Sequence, residues 1–103
     1  MRLVIVGPDN AVGKDGVFYA DLDLSQCGLP ENFWALQWNE RGNNTGHIEY
    51  NSPLIDNTTI TELPAWANAC LAVWQTKADE VAAEEAARIA AEQAAAQQNQ
   101  QAN

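Results

Sequence analysis

The chain has little positive charge. It contains five Lys and Arg residues against 14 Asp and Glu, which gives a formal net charge of −9 over 103 residues. Nucleic-acid binding requires clustered Lys and Arg to neutralise phosphates, and an anionic membrane surface attracts the same residues. The composition therefore predicts no nucleic-acid partner and no membrane partner. An acidic surface instead suits a basic protein partner.

Metal ligands of the soft type are scarce as well. The chain has one His and two Cys, and the two Cys do not form a CxxC motif. A tetrahedral zinc site requires four such ligands, so no metal and no cofactor is predicted. Cys27 and Cys70 are expected to be free thiols in a reducing compartment, with a disulfide in a released particle as the alternative.

Long hydrophobic runs are also missing. No apolar stretch approaches the roughly 20 residues of a membrane helix. Near the start, the apolar run Leu3 to Val6 ends at Gly7, which is too short for the core of a signal peptide. We therefore expect the protein to be made and kept in a cytoplasm.

Two patterns resemble chemical motifs and fall short of them. Gly7-x5-Gly13-Lys14 has five residues between its glycines where a phosphate-binding loop has four, and Asp15 follows, so a hairpin turn is expected. Asp21-x-Asp23-x-Ser25 opens like a calcium loop but lacks the required Gly. For that segment an edge strand or an extended segment with an exposed acidic face is expected, and no enzymatic activity is predicted from either motif.

His47 and Glu49 form the only His–carboxylate pair that the spacing brings together, because residues two apart share a strand face. No Ser or Cys nucleophile stands beside them in the sequence, and nothing orients the His. A surface pair is expected, and the functional alternative is contact with a partner protein.

The composition changes after Lys77, where Ala, Glu and Gln dominate and Val81 and Ile89 are the only larger apolar residues. These residue types favour helix. The sequence predicts a folded domain over residues 1–76 and a helical extension over 77–103 that frays from Gln97. No heptad of large apolar residues persists, so a leucine-type coiled coil is excluded.

The predicted fold is α+β: a small antiparallel sheet packed on one long C-terminal helix with an Ala/Glu/Gln-rich extension. In the strand Phe33 to Trp38, alternation places Trp34, Leu36 and Trp38 on one face and Phe33 on the other. Predicted strands cover residues 3–6, 17–20, 33–38 and 46–50, with a loop over 51–59.

The helix is expected to begin near Thr61, which can cap it. Trp66, Cys70 and Trp74 follow at i, i+4 and i+8 and should lie against the sheet. All four tryptophans are expected to belong mainly to the core. The alternative is that they form a platform on which sugars stack. One tryptophan could lie at the edge of a binding surface under either interpretation.

Several segments together resemble small phage tail proteins that are encoded beside tail-fibre genes. They are KDG at residues 14–16, DLDLS at 21–25, ALQW at 35–38, IEY at 48–50 and ITELPAW at 60–66. The resemblance covers about Leu3 to Trp74 and supplies no catalytic residues. It implies a tail-fibre assembly protein or chaperone that acts by protein–protein binding in the host cytoplasm.

Two other functions stay open: a structural component of the virion tail or tail fibre, and an inhibitor directed at a host protein. The expected partner is a tail-fibre protein or another tail protein, or a second copy of this chain. The residues proposed to contact it are His47, Glu49, Val81 and Ile89.

Overall fold

The computed structural model of the protein describes residues 1–41 and 44–101, except for the side chains of 99–101. Within these residues the fold is α+β, as predicted: an antiparallel sheet of six strands and one long C-terminal helix. The elements are β1 (Arg2–Val6), β2 (Ala11–Lys14), β3 (Val17–Tyr19), β4 (Phe33–Asn39), β5 (Thr45–Tyr50), β6 (Thr58–Ile60) and α1 (Ala65–Gln101).

The strands lie in the order β3-β2-β1-β4-β5-β6, and every neighbouring pair is antiparallel. Consecutive strands form hairpins on each side, and β1 joins the two halves by pairing with β4. The sequence did not predict β2 and β6. β2 lies in the segment that resembled a phosphate-binding loop, and β6 is only three residues long, with Ile60 as its one large apolar residue.

The core lies between one face of the sheet and the first turns of α1. The sheet contributes Leu3, Ile5, Val12, Leu36, Trp38 and Ile48, and the helix contributes Ala67, Cys70 and Trp74. The connection between β3 and β4 covers the rest of this face with Leu22, Leu24 and Cys27. This connection contains no strand, so the edge strand predicted for residues 21–25 is wrong, and the extended segment is the alternative that holds. Its leucines lie in the core while Asp21 and Asp23 stay exposed, as expected for an acidic face.

The helix cap lies three residues later than predicted, at Pro64 and not at Thr61. Thr61 lies before it, and the first helical residue is Ala65. The backbone carbonyl of Pro64 accepts the N–H of Ala67 at 3.0 Å, so Pro64 occupies the cap position. A residue that precedes proline is biased away from helical backbone angles, which keeps Leu63 outside the helix.

The helix extends far beyond the domain that it stabilises. Every residue from Asp79 to Gln98 is exposed, and the molecule measures 71 × 29 × 19 Å. Twenty helical residues span about 30 Å. The predicted extension therefore continues the packed helix without a break. Residues 97–101, where fraying was predicted, are helical, and the predicted end at residues 102–103 lies outside the described residues.

Candidate protein-binding surfaces

The second face of the sheet is not covered by any segment that the structure describes. Cross-strand pairing places one residue from each strand in a line across this open face. The line consists of Phe18, Gly13, Val4, Gln37, His47 and Thr59. Its first half is apolar and its second half is polar, so the open face is amphipathic from one edge of the sheet to the other.

Phe18 lies directly over Gly13 in the apolar half. A Cβ atom added to Gly13 would stand 2.4 Å from the Phe18 ring, so only glycine leaves room for the ring against the β2 backbone. About half of the Phe18 side chain remains exposed. Val4 lies beside it on β1 and is partly exposed, so these two residues present an apolar surface to solvent.

His47 and Glu49 stand together in the polar half, as their spacing predicted. The His47 Nε2 and Glu49 Oε1 atoms are 3.6 Å apart, and each side chain is more than one-third exposed. Their cross-strand neighbours on this face include Gln37 and Thr59. An exposed ion pair of this kind contributes at most about 1 kcal/mol when the imidazole is protonated. His47 and Glu49 therefore form a surface pair that is accessible to a partner protein.

A shallow depression of about 350 Å³ adjoins His47. Its lining is mostly polar and comes from four neighbouring strands: Arg2, Gln37, Trp38, Asn39, Thr45, Gly46, His47 and Thr59. Next to it, the backbone N–H of Arg2 donates a 2.8 Å hydrogen bond to Asp15 Oδ1. That hydrogen bond, assisted by nearby positive charges and opposed by slight desolvation, lowers the pKa of the Asp15 carboxyl.

Trp34 does not share the core face with Leu36 and Trp38, so this part of the prediction is wrong. The pairing of β4 with β5 passes from Phe33↔Tyr50 to Ala35↔Glu49, which leaves Trp34 as the extra residue of a β-bulge. A bulge interrupts the alternation of side chains along a strand. Phe33 therefore turns inward and packs edge-on against Trp66 at 5.2 Å between ring centroids.

Val81 and Ile89 both lie on the exposed part of α1, away from the sheet. Eight helical residues correspond to about 12 Å along the axis and about 80° around it, so the two side chains do not form one straight stripe. Between them, Arg88 hydrogen-bonds to Glu85 and, at 2.7 Å, to Glu92. These bonds raise the pKa of Arg88, and such i,i+3 and i,i+4 pairs stabilise a helix without tertiary contacts.

The structure thus brings His47 and Glu49 together and places Val81 and Ile89 on a different element. Sequence reasoning expected an exposed sheet face at His47 and Glu49 but missed its extent, because β2 and β6 were not predicted. Phe18 was visible as an aromatic residue in a predicted strand, but its exposure depends on the pairing with Gly13.

Cys27 and Cys70 are free thiols buried side by side, in agreement with the prediction. Cys70 lies on α1 and Cys27 in the connection before β4. Burial first, and then the hydrogen bond and charge interaction with Cys27, raise the pKa of the Cys70 thiol to about 12. At neutral pH Cys70 is fully protonated and unsuited to act as a nucleophile.

The two motif-like segments have structural explanations. Residues 7–10 form the turn between β1 and β2, as predicted, and Lys14 holds its ammonium group 5.4 Å from the Trp74 ring centre. Asp23 accepts hydrogen bonds from the hydroxyl and backbone N–H of Ser25, which lower its pKa. Over residues 1–41 and 44–101, no three His, Cys, Asp or Glu side chains are grouped as metal ligands would be.

Scans against protein-family models, curated proteins and solved structures find no match for this chain. In the part of the chain that the structure describes, no helix is both long and apolar enough to cross a membrane. The surfaces above are therefore interpreted from their own chemistry and from the sequence resemblance.

Proposed function

We propose that the protein is a phage tail-fibre assembly protein that acts by binding another tail protein. The observation that carries this proposal is the free segment of α1 from Asp79 to Gln98, which we call the projecting helix. All of its residues are exposed, and it extends about 30 Å from the domain. The resemblance over Leu3 to Trp74 supplies the class of partner.

The composition of the projecting helix suits a helix that packs closely on another protein. Isolated helices are marginal in water, because most helical stability in proteins comes from tertiary packing. Alanine side chains allow a close approach of backbones, and Val81 and Ile89 add two larger apolar contacts. Binding of a helix in a partner's groove is a common recognition mode.

The charge of the projecting helix indicates which residues should line the groove of the partner that binds it. The helix carries five acidic residues and one basic residue: Asp79, Glu80, Glu84, Glu85 and Glu92 against Arg88. A groove lined by Lys and Arg would complement it and accelerate association.

An assembly role follows from the folding problem that fibres pose. Proteins rich in long-range β pairing fold slowly and expose unpaired edges and apolar surface on the way. In the proposed mechanism, the projecting helix covers such a surface on an immature fibre. The open sheet face, with His47 and Glu49 in its polar half, provides a second contact on the same partner.

The test is a truncation after Ala78, co-expressed with the product of the neighbouring tail-fibre gene. The truncated chain should fold and should fail to co-purify with the fibre protein, whereas the full chain does co-purify. Within the full chain, Ile89→Ser should weaken co-purification and Ala90→Ser, its matched neighbour, should leave it unchanged. Full binding by the folded, truncated chain would contradict the proposal.

A second measurement separates assembly from a structural role. A dedicated assembly protein should be absent from purified virions, whereas a structural tail component should be present in stoichiometric amounts. Capture of a host protein from infected cells, with no tail protein bound, would instead favour the host-directed inhibitor.

A further inference from the structure

Trp34 lies at the edge of a groove that shares Glu49 with the open sheet face and is separate from the projecting helix. The groove has a volume of about 430 Å³ and is formed where β4 begins, β5 ends and the following loop turns away. Its lining consists of Trp34, Glu49, Tyr50, Asn51, Ser52, Pro53 and Asn57. The groove is shallow and largely open to solvent, so it contacts only one face of a bound ligand.

The β-bulge is what presents Trp34 to this groove. Without the extra residue, regular alternation would continue along β4, but the bulge leaves 43% of the Trp34 side chain exposed. The other three tryptophans all contact the core. Bulges occur often beside binding sites, where they redirect a side chain. An indole held at a concave surface offers a flat apolar face with a polar N–H at its rim.

The loop that forms the wall of the groove opposite Trp34 is anchored by hydrogen bonds. The backbone N–H of Asn51 donates a 2.7 Å hydrogen bond to the carbonyl of Asn32, at the residue before β4. The hydroxyl of Ser52 accepts the N–H of Leu54 at 3.3 Å, and the carbonyl of Ser52 accepts the N–H of Ile55. The backbone of this wall is therefore fixed at Asn51 and shaped by a local turn at Ser52, while the asparagine side chains stay available to a ligand.

Amide and carboxylate groups supply the hydrogen-bonding capacity of the groove. Asn51 and Asn57 each carry two amide donors and one carbonyl acceptor, and Glu49 adds acceptors. Neither amide side chain makes a hydrogen bond within residues 1–41 and 44–101. Paired donors and acceptors of this kind match the neighbouring hydroxyl groups of a sugar ring.

We propose that this groove binds a neutral pyranose unit of an oligosaccharide, with the ring stacked on Trp34. A pyranose presents C–H groups on its flat face and hydroxyls around its edge, which matches an indole bordered by amides. Glu49 is the one charged lining residue and the chain carries a net charge of −9, so acidic sugars and phosphates are repelled. The groove is open to solvent, so a longer chain can leave at either end.

The test uses saturation-transfer NMR on the full chain with neutral trisaccharides built from glucose, galactose, mannose or N-acetylglucosamine. At least one trisaccharide should receive saturation from the protein, and Trp34→Ala should weaken its binding at least about tenfold. Phe18→Ala removes an equally exposed aromatic outside the groove and should leave sugar binding unchanged. Asn57→Ala, on the exposed loop, should also weaken binding if Trp34→Ala proves unfolded.

Three results would overturn the sugar proposal. They are the absence of transfer to every trisaccharide, equal binding by the folded Trp34→Ala or Asn57→Ala variants, and groove occupancy by a tail-protein peptide that Trp34→Ala abolishes. None of these results bears on co-purification through the projecting helix, so the two proposals fail separately.

Discussion

Trp74 is the residue whose substitution most directly tests how the helix is attached to the sheet. Its side chain is 9% exposed, and its Nε1–H donates a 2.9 Å hydrogen bond to the carbonyl of Val17 on β3. The ring lies 5.7 Å from that of Tyr19 and beneath the Lys14 ammonium group. One side chain therefore joins α1 to the β2–β3 hairpin through packing, a hydrogen bond and a cation–π contact.

The expected loss in the free energy of unfolding depends on how many of these interactions a substitution removes. Trp74→Ala should lower the free energy of unfolding by roughly 3–5 kcal/mol, as large-to-small changes of buried aromatics do. Trp74→Phe keeps an aromatic ring but loses the hydrogen bond, worth about 0.5–1.5 kcal/mol, and some packing, so roughly 1–3 kcal/mol is expected. A packed domain of about 78 residues has roughly 4–12 kcal/mol in total.

Near-UV circular dichroism during urea and thermal unfolding is the suitable assay, because the projecting helix has no packed aromatic residue and does not contribute. Trp74→Phe should lower the melting temperature by on the order of 10 °C. Trp34→Phe makes the same change at an exposed position and should stay within about 0.5 kcal/mol of the parent chain. The proposed role of Trp74 in attaching α1 to the sheet would be refuted if Trp74→Phe were as stable as the parent chain. It would also be refuted if Trp74→Phe and Trp34→Phe lost the same free energy of unfolding.

Three further outcomes are expected. Cys27 and Cys70 should resist Ellman's reagent at pH 8 and react on unfolding, because burial and a Cys70 pKa of about 12 leave no accessible thiolate; rapid native labelling would contradict this. Gly46→Ala should cost roughly 1–3 kcal/mol in urea unfolding, because its Cβ would lie 2.3 Å from the Gln37 carbonyl oxygen. Deleting Trp34 should leave a cooperatively folded domain with regular β4–β5 pairing and no sugar binding; loss of folding would show that the bulge is required.

The sequence was sufficient for the elements that alternate or repeat without interruption. The stripe of Trp66, Cys70 and Trp74 predicted the helix face that meets the sheet, and all three residues pack there. The pair of His47 and Glu49 was predicted to share a strand face, and it does. In both cases the prediction depends only on how side chains repeat along a single helix or strand, and neighbouring elements do not alter that repeat.

The errors come from features that depend on a second strand. The bulge at Trp34 is a property of the pairing between β4 and β5, and a single strand in sequence carries no sign of it. β2 is four residues long and contains Gly13, which weakens a strand prediction by itself. Its role is visible only when Phe18 from the neighbouring strand is placed over it.

These dependencies explain why the folded core was easier to infer than the surfaces proposed to act. Burial of the sheet face that packs against α1 follows from the spacing of apolar residues, which can be read directly from the sequence. Exposure of Trp34 follows instead from a register shift that turns its side chain to solvent, and Phe18 lies over Gly13 on the open face because that glycine has no Cβ. Exposing large aromatics gives up burial that a small domain needs for stability. Positions where the fold accepts that loss are therefore the ones where contact with a ligand or partner is expected: Phe18 on the edge strand β3 and Trp34 at the start of β4.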